Sequence, residues 1–410
     1  VIFMTIAGKK IGLTTQIFVA MILGSIFGLV FSELAQDLEF IGTIWLNCIK
    51  MIVVPMVLFT IITGIVSQDD IKSLGRITFR IIIYYILTTI IASLIGLAVS
   101  HFLNPGAFAN FTGLESKEIT AATADFSISK FFTDMFSSNM FKTFQSGNII
   151  QTLIIAIMLA IAIMRIADEK TKKTLINGFN AVNAMVFSLI KMIMEASPIG
   201  VFFLMGSSFG EYGIDIFTGM ASLLGTYYIA CLIQAIVIYG GLLWISVGIS
   251  PYRFLKDTAE LWIYTITTCS SVAAIPITIK VAKEKFNVPD SISAYTTSLG
   301  TQMNSDGSVI LYACVLSFIA QVTGTTFDLS TMLQIILLSA IISNGGGGIP
   351  GSGIVKLFIM VEAFGLPTEI VGIIAAFYHV FDLGTTTNNC LGDLAGTIFV
   401  SKLEEKAKKI

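Results

Sequence analysis

Long apolar stretches, separated by short polar and charged breaks, follow one another through the first 250 residues of the chain. A helix needs about 20 mostly apolar residues to cross the hydrocarbon core of a bilayer, and these stretches reach or exceed that length. The pattern therefore predicts six membrane-spanning helices. They are expected at residues 11–32, 40–66, 78–103, 147–165, 174–206 and 215–248.

After residue 250, glycine, proline and small polar residues interrupt the apolar segments in their middles. The sequence T-T-C-S-S-V-A-A-I-P divides one segment at 267–276, and S-N-G-G-G-G-I-P-G-S-G divides another at 343–353. Backbone groups freed at such breaks cannot face lipid, so they must lie within protein or line a water-filled cavity. We therefore expect two re-entrant helical hairpins, hairpin 1 at 255–284 and hairpin 2 at 331–365.

Each hairpin is followed by a span that carries polar residues. Helix 7, expected at 288–321, contains Asn304 and Asp306, and helix 8 is expected at 370–401. Basic residues flank hairpin 1 but not hairpin 2, which indicates entry from opposite sides of the membrane. This order is typical of inverted repeats with a binding site near the midplane. The expected fold class is an all-α polytopic membrane protein with eight transmembrane helices and two re-entrant hairpins.

Helix 8 carries one polar stripe inside its apolar sequence. Asp382, Thr386, Asn389 and Asp393 fall at i, i+4, i+7 and i+11, which places them on one face of a helix. An ionised aspartate at the centre of a membrane helix costs about 2.5–3.5 kcal/mol, so two of them need partners. Cations or an amino group are the obvious partners.

Composition supports a membrane protein and adds little else. Hydrophobic residues make up 55% of the 410 positions, charged residues 12%, and the mean hydropathy is +0.87. The five cysteines are scattered singly, so no disulfide framework is predicted. A net charge of -2 gives no reason to expect a nucleic-acid partner. The expected partners are a bilayer and a small substrate.

Basic residues in the short loops predict the orientation. Lys9 and Lys10 precede the first span, the loop at 33–40 is acidic, and Lys72 and Arg76 follow the second span. By the positive-inside rule the N-terminus is cytoplasmic, and the C-terminus is expected on the same side. The predicted location is the plasma membrane, which is the inner membrane in a bacterium.

The ordered set of motifs resembles the dicarboxylate/amino acid:cation symporter family along nearly the whole chain. The motifs are Y-Y-I-L-T-T at 84–89, N-S-D-G at 304–307, the glycine-rich hairpin that ends in Pro350-Gly351, and the two aspartates of helix 8. The resemblance implies a homotrimer that works by an elevator mechanism. Residues 1–250 would include the trimerisation scaffold, helices 3 and 6 would join the transport domain, and 251–410 would form the transport core.

The resemblance also implies two or three sodium ions. One site would use residues of the third span with Asn304 and Asp306, and a second would use Asp393 with nearby carbonyls. A third would use hairpin 2 carbonyls and the unwound part of helix 7. The implied sodium ligands are Tyr85, Thr88, Thr89, Gly300, Gln302, Asn304, Ser305, Asp306, Ser343, Asn344, Gly346, Asn389 and Asp393.

The substrate would lie between the two hairpin tips. The resemblance implies that Asp382 and Thr386 contact its ammonium group, while Asn389, Ser271 and hairpin 2 amides contact its main-chain carboxylate. The implied substrate-binding residues are Ser270, Ser271, Ser308, Ile349, Gly351, Gly353, Asp382, Thr385, Thr386 and Asn389.

Thr385 departs from the pattern of acidic amino acid carriers, which have an arginine at this place. A second substrate carboxylate would be buried without a cation, at a cost of several kcal/mol. The T-T-T triplet at 385–387 is similar to the neutral amino acid branch of the family. We therefore predict a sodium-coupled symporter of small neutral L-amino acids such as serine, threonine or alanine, and not an enzyme.

Lys356 supports the alternative, a sodium- or proton-coupled symporter of acidic amino acids or dicarboxylates. Facing inward, this lysine could take the place of the missing arginine; facing outward, it would extend to the external interface, as lysines near helix ends do. We expect the outward direction. An intramembrane hydrolase with Ser271, His379 and Asp382 is disfavoured because no G-x-S-x-G motif surrounds the serine. A passive channel is disfavoured by the broken half-helices, which are typical of alternating access.

Overall fold

The fold is known from a computed structural model, which describes residues 5–6, 9–10, 12–66, 71–109, 133, 136–146, 148–213, 215–343 and 352–408. Two short strands, β1 (Thr5–Ile6) and β2 (Lys9–Lys10), form an antiparallel pair near the N-terminus, with Thr5 opposite Lys10. The all-helical prediction omitted this pair. The other described elements are helices.

The described helices up to residue 250 overlap all six predicted spans. Their bounds are α1 Leu13–Val30, α2 Ser32–Asp37, α3 Glu39–Val66, α4 Ile71–Leu103, a 3-10 helix Pro105–Phe108, α5 Met140–Ser146, α6 Ile149–Met164, α7 Glu169–Glu195, α8 Ser197–Tyr212, α9 Asp215–Ile233, a π-helix Gln234–Gly240 and α10 Gly241–Val247.

The segment at 174–206, predicted as one continuous helix, is divided between α7 and α8. Ala196 separates them and keeps right-handed helical dihedrals, with φ -86 and ψ -4. Pro198 stands in the first turn of α8. Proline lacks the N–H that would continue the α7 hydrogen-bond ladder, and its ring fits only the start of a helix. The interruption is therefore a proline bend, which hydropathy does not detect.

After residue 250, breaks separate seven helices of 7–17 residues, and one helix of 40 residues follows them. Their bounds are α11 Pro251–Asp257, α12 Ala259–Thr268, α13 Ser271–Phe286, α14 Asp290–Met303, α15 Asp306–Val322, α16 Leu329–Ser343, α17 Ser352–Ala363 and α18 Glu369–Lys408. Cys269, in the left-handed region at φ 48, ends α12, and the Ser270 side chain accepts a hydrogen bond from the Ala273 N–H to cap α13. Extended Asn304 separates α14 from α15.

Among the described residues, six helical segments are long and apolar enough to cross a membrane. They are Ser32–Thr63, Arg76–Leu103, Glu169–Glu195, Phe217–Val247, Ile292–Val322 and Ile370–Glu405. Shorter apolar helices are Thr15–Val30, Ile154–Met164 and Leu329–Ser343. The chain is thus a multi-pass helical membrane protein; the number of eight spans stays a prediction.

Two groups of helices pack around the centre of the molecule. α15 is buried from Asp306 to Ala320 and lies against α4, α9 and α18. α1 packs mainly on α8, and α3 packs on α6, α7 and α8. The α1–α8 crossing is close because a Cβ at Gly28 would collide with the Gly206 carbonyl and approach the Gly210 nitrogen to 2.9 Å. Small residues of this kind let membrane helices approach closely.

Candidate functional site

The Asp306 carboxylate lies at the N-terminal end of α15 and is fully buried, with 0% exposure. Its Oδ1 accepts a hydrogen bond from the Thr89 hydroxyl at 2.8 Å. Its Oδ2 accepts one from the Tyr239 hydroxyl at 2.7 Å and one from the Gln234 amide at 3.1 Å. Three neutral donors orient the carboxylate without neutralising its charge.

Gln234 and Tyr239 both belong to the π-helix, and the sequence analysis missed them. π-helical turns are rare and occur frequently at functional sites, because the extra residue per turn redirects side chains. Here the π-helix directs two donors at Asp306 from the span that contains α9 and α10. The available signal was Gln234 itself, a buried amide inside an otherwise apolar span.

The Asp393 carboxylate is 1% exposed and lies beside Asn304. The Asn304 Nδ2 donates to Asp393 Oδ1 at 3.0 Å and to the Asn389 carbonyl at 3.1 Å. The Asn304 Oδ1 is buried and has no partner among the described residues. A Cβ at Gly300 would lie 2.5 Å from Asp393 Oδ1, so only glycine lets the carboxylate approach the α14 backbone this closely.

Tyr85 and Thr88, two expected sodium ligands on α4, bind backbone carbonyls. The Tyr85 hydroxyl donates to the Thr296 carbonyl at 3.0 Å, and the Thr88 hydroxyl donates to the Tyr85 carbonyl at 3.2 Å. Both side chains are buried beside the two carboxylates. Gln302, expected near a third ion, is exposed.

The donor set around Asp306 and Asp393 fits a hard monovalent cation. None of the ion pairs between described residues involves either carboxylate. A buried ionised carboxylate without a cation is costly by several kcal/mol. Carboxylate, hydroxyl, carbonyl and the unpartnered Asn304 amide oxygen are the ligand types that hard cations take.

Asp382 borders a cavity of about 130 Å³ between the two groups of helices. Its Oδ1 accepts a hydrogen bond from the Tyr378 hydroxyl at 3.4 Å. The cavity is also lined by Cys269, between α12 and α13, and by Trp45 and Ser197 from α3 and α8. The described lining residues include no lysine or arginine.

The Thr385 hydroxyl does not face a vacant space for a substrate side chain. It lies 2.8 Å from the Tyr227 hydroxyl of α9, and the two form a buried hydrogen bond. The sequence analysis missed Tyr227, which carries no local signal because tyrosine is unremarkable in an apolar span. The expected hydrogen bond from Thr385 to a substrate therefore requires the Tyr227 pair to open.

Asn389 and Thr386 are buried on the same helix, as the stripe predicted. The Asn389 Oδ1 accepts a hydrogen bond from the Gly307 N–H at 2.9 Å, so this side chain caps α15. Ser271 and Ser308 are buried. The Tyr378 hydroxyl stands where a Cβ of Gly353 would be, which brings α17 against α18. Four expected site residues lie outside the described residues: Asn344, Gly346, Ile349 and Gly351.

Lys356 does not extend to the external interface, so that prediction is wrong. The side chain is 6% exposed, and its Nζ donates to the Ser343 carbonyl at 3.2 Å. The Ser305 hydroxyl donates to the same carbonyl at 3.2 Å. The physical reason is burial, because residues 354–360 of α17 are all covered and offer no route to water.

Comparisons with known proteins find relatives that match nearly the whole chain. The chain is 29% identical to a proton/sodium-glutamate symport protein of Bacillus caldotenax, over 97% of this chain and 95% of that protein. It is 30% identical to a C4-dicarboxylate transport protein of Bacillus subtilis (strain 168), over 97% and 96%. A C4-dicarboxylate transport protein of Deinococcus radiodurans is 26% identical, over 96% and 89%.

These relatives are named as transport proteins, which agrees with the prediction of a transporter, and their names do not mention neutral amino acids. The family model described as Sodium:dicarboxylate symporter family matches residues 13–403, almost the whole chain. The buried acidic sites, the broken helices and this match lead to one conclusion: the chain belongs to the sodium:dicarboxylate symporter family of secondary transporters.

Proposed function

We propose that this protein is a sodium-coupled symporter of small neutral L-amino acids, with serine, threonine and alanine as the first substrates to test. The observation that carries this proposal is the cavity beside Asp382, whose described lining has one carboxylate and no lysine or arginine. The carboxylate suits a substrate ammonium group. A second carboxylate on the substrate would lack a cationic partner there, which is costly in a buried site.

The proposed ion sites are the two buried carboxylates. Asp306 with Thr89 would hold one sodium ion, and Asp393 with the Asn304 amide oxygen would hold another. If sodium and substrate both favour the same closed state, each raises the affinity of the other by the same factor. That reciprocal effect makes substrate binding depend on sodium, as sodium-coupled uptake requires.

A second candidate is a sodium- or proton-coupled symporter of acidic amino acids or dicarboxylates. The names of the relatives, which mention glutamate and C4-dicarboxylates, favour this candidate over the first. The buried ammonium of Lys356 is the one described cation that could meet a second carboxylate from within hairpin 2. It would first have to leave the Ser343 carbonyl.

The larger organisation is proposed on the same basis. The polar sites involve α4, the π-helix, α14, α15 and α18, which supports a transport core that includes helices 3 and 6 as well as residues 251–410. α1, α3, α7 and α8 supply the opposite wall of the cavity, as a scaffold would. A homotrimer, an elevator movement, re-entrant hairpins and cytoplasmic termini in the plasma membrane complete the proposal.

Competition for radiolabelled serine uptake in proteoliposomes tests the two candidates together. All twenty amino acids and succinate are supplied in excess, with and without a sodium gradient. The first candidate requires saturable, sodium-dependent serine uptake that alanine or threonine inhibits. Uptake of labelled aspartate, glutamate or succinate without any uptake of serine would reject it and support the second candidate.

A further inference from the structure

The Ser343 carbonyl is already occupied by protein donors. It belongs to the last residue of α16. At the C-terminal end of a helix the carbonyls have no partner within the helix, and the helix dipole has its negative end there. A carbonyl oxygen has two lone pairs, and here one meets the Lys356 ammonium and the other the Ser305 hydroxyl, each at 3.2 Å. The resemblance assigns this carbonyl, together with others of hairpin 2, to a third sodium ion.

When protonated, the Lys356 amine brings a positive charge to that position. Its side chain is 6% exposed, and no described carboxylate lies within ion-pair distance of it. An ammonium group carries the same charge as a sodium ion and, like it, is satisfied by oxygen acceptors. The carbonyl end of α16 supplies such acceptors together with negative dipole charge.

The described residues therefore do not fit a third sodium ion at hairpin 2. Gln302, the expected ligand from helix 7, is exposed. The Ser305 hydroxyl donates to the Ser343 carbonyl, so that carbonyl is not free to bind a sodium ion. A metal ion placed here would lie against an ammonium group of the same charge. Like charges in a buried site repel strongly because the effective dielectric constant is low.

We infer that Lys356 is an internal cation that takes the place of the hairpin 2 sodium ion, so that transport is coupled to the two ions at Asp306 and Asp393 and no third. The ammonium joins the end of α16 to α17 permanently, whereas a sodium ion would do so only when bound. This inference rests on the proposed sodium coupling and specifies its ion count.

The first test uses the wild-type protein in proteoliposomes, where the reversal potential of substrate flux at set sodium gradients yields the ion-to-substrate ratio. The inference requires two sodium ions per substrate. Three ions would overturn the inference and leave the proposed sodium coupling intact. Transport that ignores sodium would reject the proposed function and the inference with it.

The second test measures thermal unfolding of purified protein against sodium concentration, with choline chloride holding ionic strength constant. Binding to the folded state raises the unfolding temperature, so the curve reports sodium binding without transport. Lys356→Met should unfold at a lower temperature without sodium and gain an additional sodium-dependent stabilisation, with the apparent Hill coefficient raised by about one. Lys356→Arg retains the charge and should match the wild type.

Met360→Ala is the matched control, because Met360 lies one turn further along α17 and is buried. It should lower the unfolding temperature with no extra response to sodium. An unchanged sodium response in a folded Lys356→Met would overturn the inference. So would loss of aspartate or glutamate binding in that variant, since Lys356 would then serve the substrate. If Lys356→Met does not fold, the wild-type ratio and Lys356→Arg decide the question.

Discussion

At the scale of single residues, the site depends on neutral groups that hold buried carboxylates in place. Asp306 receives hydrogen bonds from Thr89, Gln234 and Tyr239, and Asp393 receives one from Asn304. A ligand whose orientation is set by its neighbours loses little freedom when an ion binds. Residues that never touch the ion should therefore influence its affinity.

Tyr239→Phe removes one donor to Asp306 and leaves the ring. Because this donor orients the carboxylate for the ion, its loss should raise the sodium concentration for half-maximal uptake by up to roughly tenfold, which corresponds to about 1.4 kcal/mol. Sodium activation of uptake measures this shift. Tyr228→Phe is the control, because that hydroxyl donates to the Val380 carbonyl instead. Equal effects of the two substitutions would contradict the role given to Tyr239.

Thr385→Arg places a cation where acidic amino acid carriers have one. Inhibition of serine uptake by aspartate should strengthen by roughly tenfold, about 1.4 kcal/mol, since a buried carboxylate gains a charge-assisted partner. Thr385→Val also breaks the Tyr227 hydrogen bond but adds no charge, so it isolates the effect of the cation. No change in aspartate inhibition would indicate that another group sets selectivity.

At the scale of elements, interruptions matter more than regular helices. Cys269, Asn304 and the π-helix each stop or distort a helix inside the apolar part of the chain. Asn304 and the π-helix place polar groups beside a buried carboxylate, and Cys269 lines the cavity that Asp382 borders. The opposite case is the α1–α8 pair, where glycines allow two regular helices to touch. The breaks depend on residues that depart from regular helix geometry, and the close helix contact depends on residues without a side chain.

Gly28→Ala should destabilise the α1–α8 contact. The added Cβ would collide with the Gly206 carbonyl and the Gly210 nitrogen, and overpacking of this kind costs about 1–3 kcal/mol. The unfolding temperature in detergent, followed by tryptophan fluorescence, should fall. Gly178→Ala is the control because no atom lies within 4 Å of its added Cβ. An unchanged unfolding temperature in Gly28→Ala would mean that α1 and α8 can move apart without loss of stability, which contradicts the prediction.

At the scale of the whole molecule, α17 differs from α12 and α13 in how it is covered. α17 is buried and packs on α3, whereas α12 and α13 expose Ile263, Ile266 and Val272 by 53%, 38% and 44%. The cavity beside Asp382 lies between α1, α3, α7 and α8 on one side and α12, α17 and α18 on the other. A movement of one group against the other would change both the cover of α17 and the access to Asp382.

A cross-link between α3 and α18 tests that movement. A Cβ at Gly372 would lie 3.2 Å from the Leu46 side chain, so Leu46→Cys with Gly372→Cys brings two thiols together in a variant otherwise free of cysteine. Mercuric ion should block uptake by at least about tenfold, and dithiothreitol should restore it, because bound metal holds the helices together. Each single variant should stay active. Normal uptake by the cross-linked protein would reject movement at this interface.

The sequence alone predicted several features of the fold and of the candidate site. Apolar length predicted a multi-pass membrane protein, glycine and small polar residues predicted breaks near Cys269 and Asn304, and helical spacing placed Asp382 and Asp393 on one face. Each of these properties is local, since it depends on the order of neighbouring residues and on the geometry of one helix. Such local properties are largely the same in the folded protein, so the sequence predicts them.

Tertiary structure alone decided which distant groups meet. The π-helix brings Gln234 and Tyr239 to Asp306. The Tyr227 hydroxyl forms a hydrogen bond with the Thr385 hydroxyl, and Lys356 points inward and donates to the Ser343 carbonyl. A lysine near a helix end extends to water only if one side of that helix is open, and the packing around residues 353–361 of α17 leaves no open side. Spacing along the chain carries no information about that cover, because it comes from several other helices, among them α3, which is remote in sequence.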